Sequence, residues 1–155
     1  MVIGEILRNE PLSKVGYRRL VAVAPHSTLA EAVAVMQSEK VGSVLVCESD
    51  RLVGMLTERH VIHKLAAAAN TLDERVDVSM IKNPETVRPD ESVASAICKM
   101  QQHRYRRLPV VDADGTPLGL LSMRRIIQYM AEHFPSAVFN LPPRPDHFAA
   151  EREGA

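Results

Sequence analysis

The sequence predicts a mixed α/β fold of the α+β class, in which two tandem β-α-β-β-α units pack together as a pair. Three observations lead to this prediction. The chain repeats itself, each copy contains two segments with helical spacing of apolar residues, and each copy contains two apolar runs joined by a polar turn. With 155 residues, of which 46% are hydrophobic, the chain is long enough for one compact domain or two closely packed small ones.

The internal repeat extends over most of the chain. At an offset of 64 positions, residues of the same kind coincide at Val23/Val87, Pro25/Pro89, Ala32/Ala96, Met36/Met100 and Val46/Val110. One additional residue in a turn changes the offset to 65, which then holds at Gly54/Gly119, Leu56/Leu121, Arg59/Arg124 and Ile62/Ile127. A chance match does not keep its register across such a slip, so the repeat marks a duplicated structural unit.

Each unit begins with a strand and a helix. Short β-branched runs at 21–23 and 86–87 predict the strands, and a proline follows each run and ends it. Helices are predicted where apolar residues recur every three or four positions, at Leu29, Ala32, Val33 and Met36 and at Val93, Ala96, Ile97 and Met100. The candidate N-caps are Ser27 or Thr28 in the first unit and Asp90 or Ser92 in the second.

A β-hairpin and a second helix complete each unit. The paired apolar runs lie at 43–47 with 52–56, and at 108–111 with 118–121. The second helices are predicted near 58–69 and 123–133. Because neighbouring residues of the run at 108–111 are all apolar, both faces of that strand should be covered. We therefore expect the two units to pack against each other, with clefts along their seam.

Five segments describe the predicted organisation. They are an N-terminal extension with a short helix (1–20), the first unit (21–70), a linker (71–83), the second unit (84–133) and a proline-rich C-terminal tail (134–155). The tail contains apolar residues, among them Phe139, Leu141 and Phe148, so we expect it to pack on its own protein or on another subunit.

Composition argues against several classes of partner. The formal net charge is zero and the isoelectric point is near 7, which gives no general electrostatic attraction to nucleic acid or to an anionic membrane. The first ten residues have no basic region followed by an apolar run, so we expect no signal peptide, and no apolar run reaches the roughly 18 residues that a membrane span requires. Cys47 and Cys98 lie in apolar segments and are interpreted as buried, reduced thiols. These features predict a cytoplasmic protein.

Motifs for catalysis or metal binding are not found. The sequence has no Gly-x-Ser-x-Gly motif and no glycine loop that would hold phosphates, and neither cysteine has the context of a nucleophile. His60 and His63 have no acidic or cysteine partner nearby, which argues against a metal site. Asp112–Gly115 is interpreted as a hairpin turn rather than a calcium loop. We therefore expect neither an enzyme nor a metal protein.

The repeated segments resemble CBS motifs. Residues 23–32 and 87–96 resemble the opening of the motif, 41–46 and 106–112 its middle strand, and 54–59 and 119–124 the end of its hairpin and the start of its second helix. The resemblance covers about residues 21–131. It implies a tandem pair, or Bateman module, that commonly forms a homodimer and binds AMP, ADP, ATP, NAD(H) or S-adenosylmethionine in its clefts. No cofactor is required.

Candidate ligand-binding residues follow partly from helix starts and partly from the resemblance. Thr57 and Ser122 each follow a strand and begin a helix, where free N–H groups favour phosphate or hydroxyl groups. The resemblance implies that both contact the ligand. It also implies that the strands at Val23 and Val87 offer backbone groups to adenine. Basic residues at the position of Arg106 and Arg107 are implied to contact phosphates, and Pro109 belongs to the same strand.

Two positions depart from the family pattern. Three residues after Thr57 or Ser122, members that bind a ligand usually carry an Asp that accepts hydrogen bonds from both ribose hydroxyls. The chain has His60 and Arg125 there. A neutral His accepts one such bond at most, and Arg accepts none. Recognition of ribose in the family manner is therefore weakened in the first unit and unsupported in the second.

The second unit is rich in arginine around its expected cleft. The hairpin should bring together a basic set made of Arg104, Arg106, Arg107, Arg124 and Arg125. Because crowded cations repel one another unless anions intervene, this set suggests a ligand with several negative charges, such as a nucleotide polyphosphate or a dinucleotide. The alternative is a solvated or dimer-facing basic surface, since strand alternation directs Arg106 and Arg107 to opposite faces.

Two functions from different classes are compatible with the sequence. The first is a stand-alone sensor in which an adenosine-containing anionic ligand changes the packing of the units, and an unidentified protein partner reads the change in trans. The second is a ligand-free CBS dimer that acts as a protein-interaction scaffold, because both Asp residues are absent.

Overall fold

The computed structural model describes residues 2–68 and 71–139. Its helices are α1 (Ile3–Asn9), α2 (Leu12–Val15), α3 (Leu29–Glu39), α4 (Glu58–Ala67), α5 (Val76–Ser79), α6 (Val93–His103), α7 (Met123–His133) and α8 (Pro135–Phe139), with a 3-10 turn at Thr71–Asp73. Its strands are β1 (Arg18–Arg19), β2 (Ala22–Val23), β3 (Ser43–Glu48), β4 (Arg51–Thr57), β5 (Ile81–Lys82), β6 (Arg107–Val111) and β7 (Pro117–Ser122). In the described ranges, no helix is long and apolar enough to cross a bilayer.

Two sheets form, one for each repeat. The first has the strand order β2-β3-β4-β5 and the second the order β1-β7-β6. Both predicted hairpins are confirmed as antiparallel pairs, and each has a register shift at the equivalent position, after Val46 and after Val110. The predicted strand at 86–87 is reduced to a single parallel bridge between Val87 and Val110. The α+β architecture predicted from the repeat is confirmed.

Side-chain caps begin the predicted helices. The Thr28 hydroxyl accepts the amide N–H of Glu31, whose carboxylate accepts the Thr28 N–H, which completes a capping box. Ser92 accepts the N–H of Ser95 at the start of α6. Of the open N-cap alternatives, Thr28 and Ser92 are therefore the residues that cap these helices.

The N-terminal segment completes the sheet of the second repeat. The Leu12 N–H donates to the Glu91 carbonyl, and β1 pairs with β7 through Arg18 and Leu120. Residues 71–82 occupy the equivalent place in the first repeat, where β5 pairs with β4 and the Val76 N–H donates to the Ser27 carbonyl. The predicted extension and linker thus hold equivalent positions in the two sheets.

Equivalent glycines permit these strand additions. A Cβ atom on Gly119 would collide with the Arg18 carbonyl oxygen in β1, and one on Gly54 would collide with the Met80 side chain and the Ile81 carbonyl oxygen. The two glycines that mark the repeat therefore stand where a neighbouring strand passes too close for any side chain.

Each repeat has its own aliphatic core. The first is built from Leu29, Ala32, Met36, Val44, Val46, Leu56, Val61 and Val76. The second contains Val87, Val93, Ala96, Met100, Leu108, Val110, Leu121 and Ile126 together with Ile6, Leu12 and Val15 of the N-terminal segment. Residues 108–111 are all buried, which confirms that both faces of β6 are covered.

The cysteine prediction is wrong in part. Cys47 is half-buried near the end of β3, and Cys98 is exposed because it lies on the solvent side of α6; both are free thiols. Of the predicted tail, Phe134 and Val138 pack against the second core, whereas Phe139 is 72% exposed. Leu141 and Phe148, on which part of the tail prediction rests, lie outside the described residues.

Candidate functional site

Two clefts lie where the repeats meet. The first has a volume of about 440 Å³ and is lined by Gly42, Met55, Thr57, Glu58, Arg59, His60, Ile81, Arg104, Tyr105, Arg106 and Arg107. The second has a volume of about 740 Å³ and is lined by Gly16, Tyr17, Arg18, Lys40, Val41, Gly42, Ser43, Arg107, Leu120, Ser122, Arg124, Arg125 and Gln128. Both volumes fall within the range of roughly 300–1,000 Å³ that small-molecule sites occupy.

Each cleft combines parts of both repeats. The first joins the start of α4 from the first repeat to the loop that precedes β6 in the second. The second joins the start of α7 from the second repeat to the loop that precedes β3 in the first. The prediction of clefts along the seam is therefore confirmed.

A hydrogen-bonded pair begins α4 in the first cleft. The Thr57 hydroxyl accepts the His60 backbone N–H and lies 2.6 Å from the His60 Nδ1 atom. Burial, and then the nearby charges of His63 and Arg59, lower the pKa of His60 below its usual value of 6.5. The lowered pKa favours the neutral ring, and Thr57 occupies its Nδ1 atom, whereas Nε2 has no hydrogen-bond partner among the described residues.

The first cleft is basic but also contains a carboxylate. Its cations are Arg59, Arg104, Arg106 and Arg107, and its one acidic side chain is Glu58. Glu58 follows Thr57, and its N–H donates to the Gly42 carbonyl of the loop before β3. The cleft therefore offers a hydrogen-bond acceptor among several donors.

Among the described residues, every charged side chain that lines the second cleft is a cation. The cations are Arg18, Lys40, Arg107, Arg124 and Arg125. Within the described part of the chain, none of these side chains has a carboxylate within 4.0 Å. Two are held by backbone carbonyls, since Arg125 Nε donates to Val15 O at 2.9 Å and an Arg18 terminal nitrogen donates to Lys40 O at 3.2 Å. Uncompensated cations at this density attract a polyanion.

Two cations reach the clefts from left-handed helix ends. Lys40 and Arg104 are the equivalent C-cap residues of α3 and α6, with φ angles of 55° and 56°. Lys40, from the first repeat, lines the second cleft together with the start of α7. Arg104, from the second repeat, lines the first cleft together with the start of α4. Glycine is the usual residue at such positions, and both repeats carry a cation instead.

The structure distributes the predicted site residues between the two clefts. Thr57, His60 and Arg106 line the first cleft, Ser122, Arg124 and Arg125 line the second, and Arg107 lines both. Ser122 is confirmed as the N-cap of α7, since its hydroxyl accepts the Arg125 N–H. The predicted single basic set is wrong in its grouping, because Arg104 and Arg106 face the first cleft while Arg124 and Arg125 face the second.

Three predicted residues line neither cleft. They are Val23, Val87 and Pro109. The Val87 N–H donates to the Pro109 carbonyl, and its own carbonyl accepts the Val111 N–H, so its backbone groups serve the β6 ladder. A ligand contact through these residues stays a prediction.

Sequence reasoning missed four charged residues of the clefts. They are Arg18, Lys40, Glu58 and Arg59. A signal existed for Lys40, because the offset of 64 places it on Arg104. Arg18 carried no such signal, since its place depends on pairing with a strand about a hundred positions away along the chain.

Comparison with known proteins agrees with this architecture. The CBS domain model matches residues 12–67 and 75–132. An uncharacterized 17.7 kDa protein of Acidianus ambivalens is 30% identical over 122 residues, covering 78% of this chain and 73% of that protein. The CBS domain-containing protein YhcV of Bacillus subtilis is 34% identical over 107 residues, covering 68% of this chain and 74% of that protein.

A solved structure has the same fold. It is a CBS domain protein of Pyrobaculum aerophilum complexed with AMP, which matches with a TM-score of 0.69 and 24% sequence identity. The match covers 79% of this chain and 98% of that one.

Proposed function

Because the chain belongs to the CBS domain family, we propose that it is a regulatory module that binds an adenosine-containing anionic ligand between its repeats. The ligand is of the AMP, ADP, ATP or NAD(H) type, and the module signals to an unidentified protein partner in trans. One observation carries the proposal: five cationic side chains line the second cleft, and none of them has a carboxylate partner among the described residues.

The charge of the second cleft favours a ligand with several phosphates. The planar guanidinium of arginine donates paired hydrogen bonds to phosphate oxygens. The second cleft is lined by Arg18, Arg107, Arg124 and Arg125, together with Lys40. The start of α7 adds the N–H groups beside Ser122. ATP and NAD(H) carry more charge than AMP, so we expect them to bind this cleft more tightly.

The nucleoside part of the ligand needs acceptors for its hydroxyl groups. Glu58 is the acidic side chain of the first cleft, and it is exposed. It stands two positions before His60, which occupies the place of the usual family Asp. We therefore assign acceptance of hydrogen bonds from the ribose hydroxyls to the Glu58 carboxylate, with a secondary contact to His60 Nε2, which accepts or donates according to the tautomer of the ring.

A homodimer is the assembly that we propose for the module. Ile62 on α4 and Ile127 on α7 occupy equivalent positions in the repeat, and they are 64% and 59% exposed. Leu65 lies one turn further along α4 and is also exposed. Two such faces on one molecule suit a second copy of the chain that covers both. Sedimentation of the wild type and of an Ile62→Glu, Ile127→Glu variant tests this assembly.

Thermal shift and titration calorimetry test the ligand proposal. Wild-type protein is screened with AMP, ADP, ATP, NAD(H) and S-adenosylmethionine, and a ligand at 100 times its dissociation constant should stabilise the fold by about 2.7 kcal/mol. Arg107→Ala should weaken ATP and NAD binding, whereas Arg51→Ala, at the exposed first residue of β4 and outside both clefts, should not. No response to any of these ligands would instead favour the ligand-free scaffold.

A further inference from the structure

Two of the described residues line both clefts, and we call this pair the ridge. These residues are Gly42, from the loop before β3, and Arg107, the first residue of β6. Gly42 contributes only backbone to the ridge, so Arg107 is the one side chain that can reach into either cleft.

The first repeat has no arginine at the position equivalent to Arg107. Arg107 pairs with Ser122 across its hairpin, and the equivalent pair in the first repeat is Ser43 with Thr57. Ser43 is only 3% exposed, and its hydroxyl has no hydrogen-bond partner among the described residues. A symmetric molecule would supply one arginine for each cleft at this position. The chain supplies one guanidinium for two clefts.

The guanidinium is poised between the clefts and is not fixed by an anion. A terminal nitrogen of Arg107 lies 3.5 Å from the position of a Cβ atom on Gly42, and the Glu58 carboxylate lies 3.3 Å from the same point. Both groups lie close to this one point, yet they form no ion pair within 4.0 Å. Arg107 is half-buried, so its charge is less screened than that of the exposed arginines around it.

From this geometry we infer that the two clefts compete for Arg107, so that a phosphate-bearing ligand bound in one cleft weakens binding of a second in the other. A guanidinium directs its paired N–H donors at one phosphate group at a time. When an anion in the second cleft takes those donors, the first cleft keeps three exposed arginines and its carboxylate, and its affinity for phosphate falls. The inference rests on the proposed function, since it requires that at least one cleft bind a nucleotide.

Titration calorimetry of the full chain with ATP tests the coupling. The wild type should bind a first ATP and then a second at least about tenfold more weakly, within the usual range of coupling between sites. In an Arg107→Gln variant both steps should weaken, and the part of the difference that comes from coupling should disappear, leaving only the difference set by the unlike linings of the two clefts. Arg51→Gln removes a charge outside both clefts and should behave as the wild type.

Charge repulsion between two ATP molecules is the competing explanation. Repulsion would persist or grow when a cation is removed from the ridge, so a coupling that survives in Arg107→Gln overturns the inference. Loss of ATP binding from both clefts in Arg107→Gln would support a shared residue, whereas loss from one cleft alone would overturn it.

Two variants that each impair one cleft should produce a gain in ATP affinity in the other cleft. Damage to the fold would lower the affinity, so it cannot explain a gain. Arg106→Gln impairs the first cleft and Arg124→Gln the second, while both retain Arg107. The cleft that fills second in the wild type should gain about tenfold in ATP affinity when the other is impaired. If neither variant gains affinity, or if the wild type binds two ATP molecules independently, the inference fails while the proposed function stands. If the wild type binds no nucleotide, both fail.

Discussion

The two clefts occupy equivalent places in a duplicated fold, yet their chemistry differs. The first contains a neutral histidine hydrogen-bonded to its helix cap, a carboxylate and four arginines. The second contains five cations and no acidic side chain among the lining residues that the structure describes. Duplication therefore preserved the backbone that presents a ligand-binding helix start, whereas the side chains diverged toward a mixed site and a purely basic one.

Charge reversal in the second cleft gives the largest expected difference between the sites. Arg124→Glu places an acid among cations that have no carboxylate partner, and we expect ATP affinity in that cleft to fall about 100-fold. The equivalent change in the first repeat, Arg59→Glu, should have a smaller effect because Glu58 already makes that cleft less basic. Calorimetry measures both, and equal losses would contradict the assigned asymmetry.

The contacts that attach the edge segments also differ between repeats. In the second, the Tyr129 hydroxyl donates to the Glu10 carboxylate at 2.6 Å, where the Glu10 side chain is 13% exposed. In the first, the equivalent pair is Lys64 with Glu74, 3.6 Å apart and more than a third exposed. Tyr129→Phe should reduce the free energy of unfolding by about 1–3 kcal/mol, and Lys64→Met by less than about 1 kcal/mol.

Denaturant titration compares the two variants, and pH provides an independent check. Burial and the Glu10 contact raise the pKa of Tyr129 to about 12, above its usual value of 10. Its contribution to stability is therefore complete below pH 10 and declines as the pH rises toward 12. Wild type should lose stability over this interval relative to Tyr129→Phe, and parallel curves would refute the assignment.

A pH effect should distinguish the clefts themselves. The lowered pKa of His60 means that the folded state favours the neutral ring, so this contribution to stability is complete above pH 6.5 and declines as the pH falls. Protonation adds a cation to the first cleft, whereas the equivalent position of the second cleft holds Arg125 in place of a histidine. Two chains are compared, Arg124→Gln alone and Arg124→Gln with His60→Asn. For each chain, the ATP affinity at pH 5.5 is divided by the affinity at pH 8. This ratio should be about threefold higher in the chain that retains His60. Comparison at each pH removes the titration of ATP itself, and an identical pH dependence in both chains would contradict the effect.

The smallest expected effect concerns the left-handed cap residues. Lys40→Gly and Arg104→Gly relieve an unfavourable backbone conformation, so the free energy of unfolding should stay constant or rise by up to about 1 kcal/mol. ATP affinity should nevertheless fall by a few-fold, in the second cleft for Lys40 and in the first for Arg104. Asn83→Gly is the matched control, because Asn83 also has a positive φ but lines neither cleft. An unchanged affinity would indicate that these cations serve solubility alone.

Local features of the fold were predictable from the sequence, and the composition of the sites was predictable only in part. The helix caps at Thr57 and Ser122 and both hairpins follow from short-range patterns, because spacing and turn residues determine them. The assignment of Arg106 to the first cleft was not predictable, because it depends on how one repeat packs against the other. Strand alternation did predict that the side chains of Arg106 and Arg107 point to opposite faces of the strand. In the structure, Arg106 lines the first cleft and Arg107 lines both clefts.

The position of the N-terminal segment has a consequence for the order of folding during synthesis. Residues 21–82 contain every strand of the first sheet, so that sheet can close before the second repeat is made. Arg18 and Arg19, by contrast, pair with β7, and α1 and α2 supply Ile6, Leu12 and Val15 to a core whose other buried residues lie between Val87 and Met130. The helix that packs against α1 is α6, so the apolar face of α1 stays exposed on the nascent chain at least until residues 93–103 have been made, and α1 is the segment that we expect a chaperone to bind first.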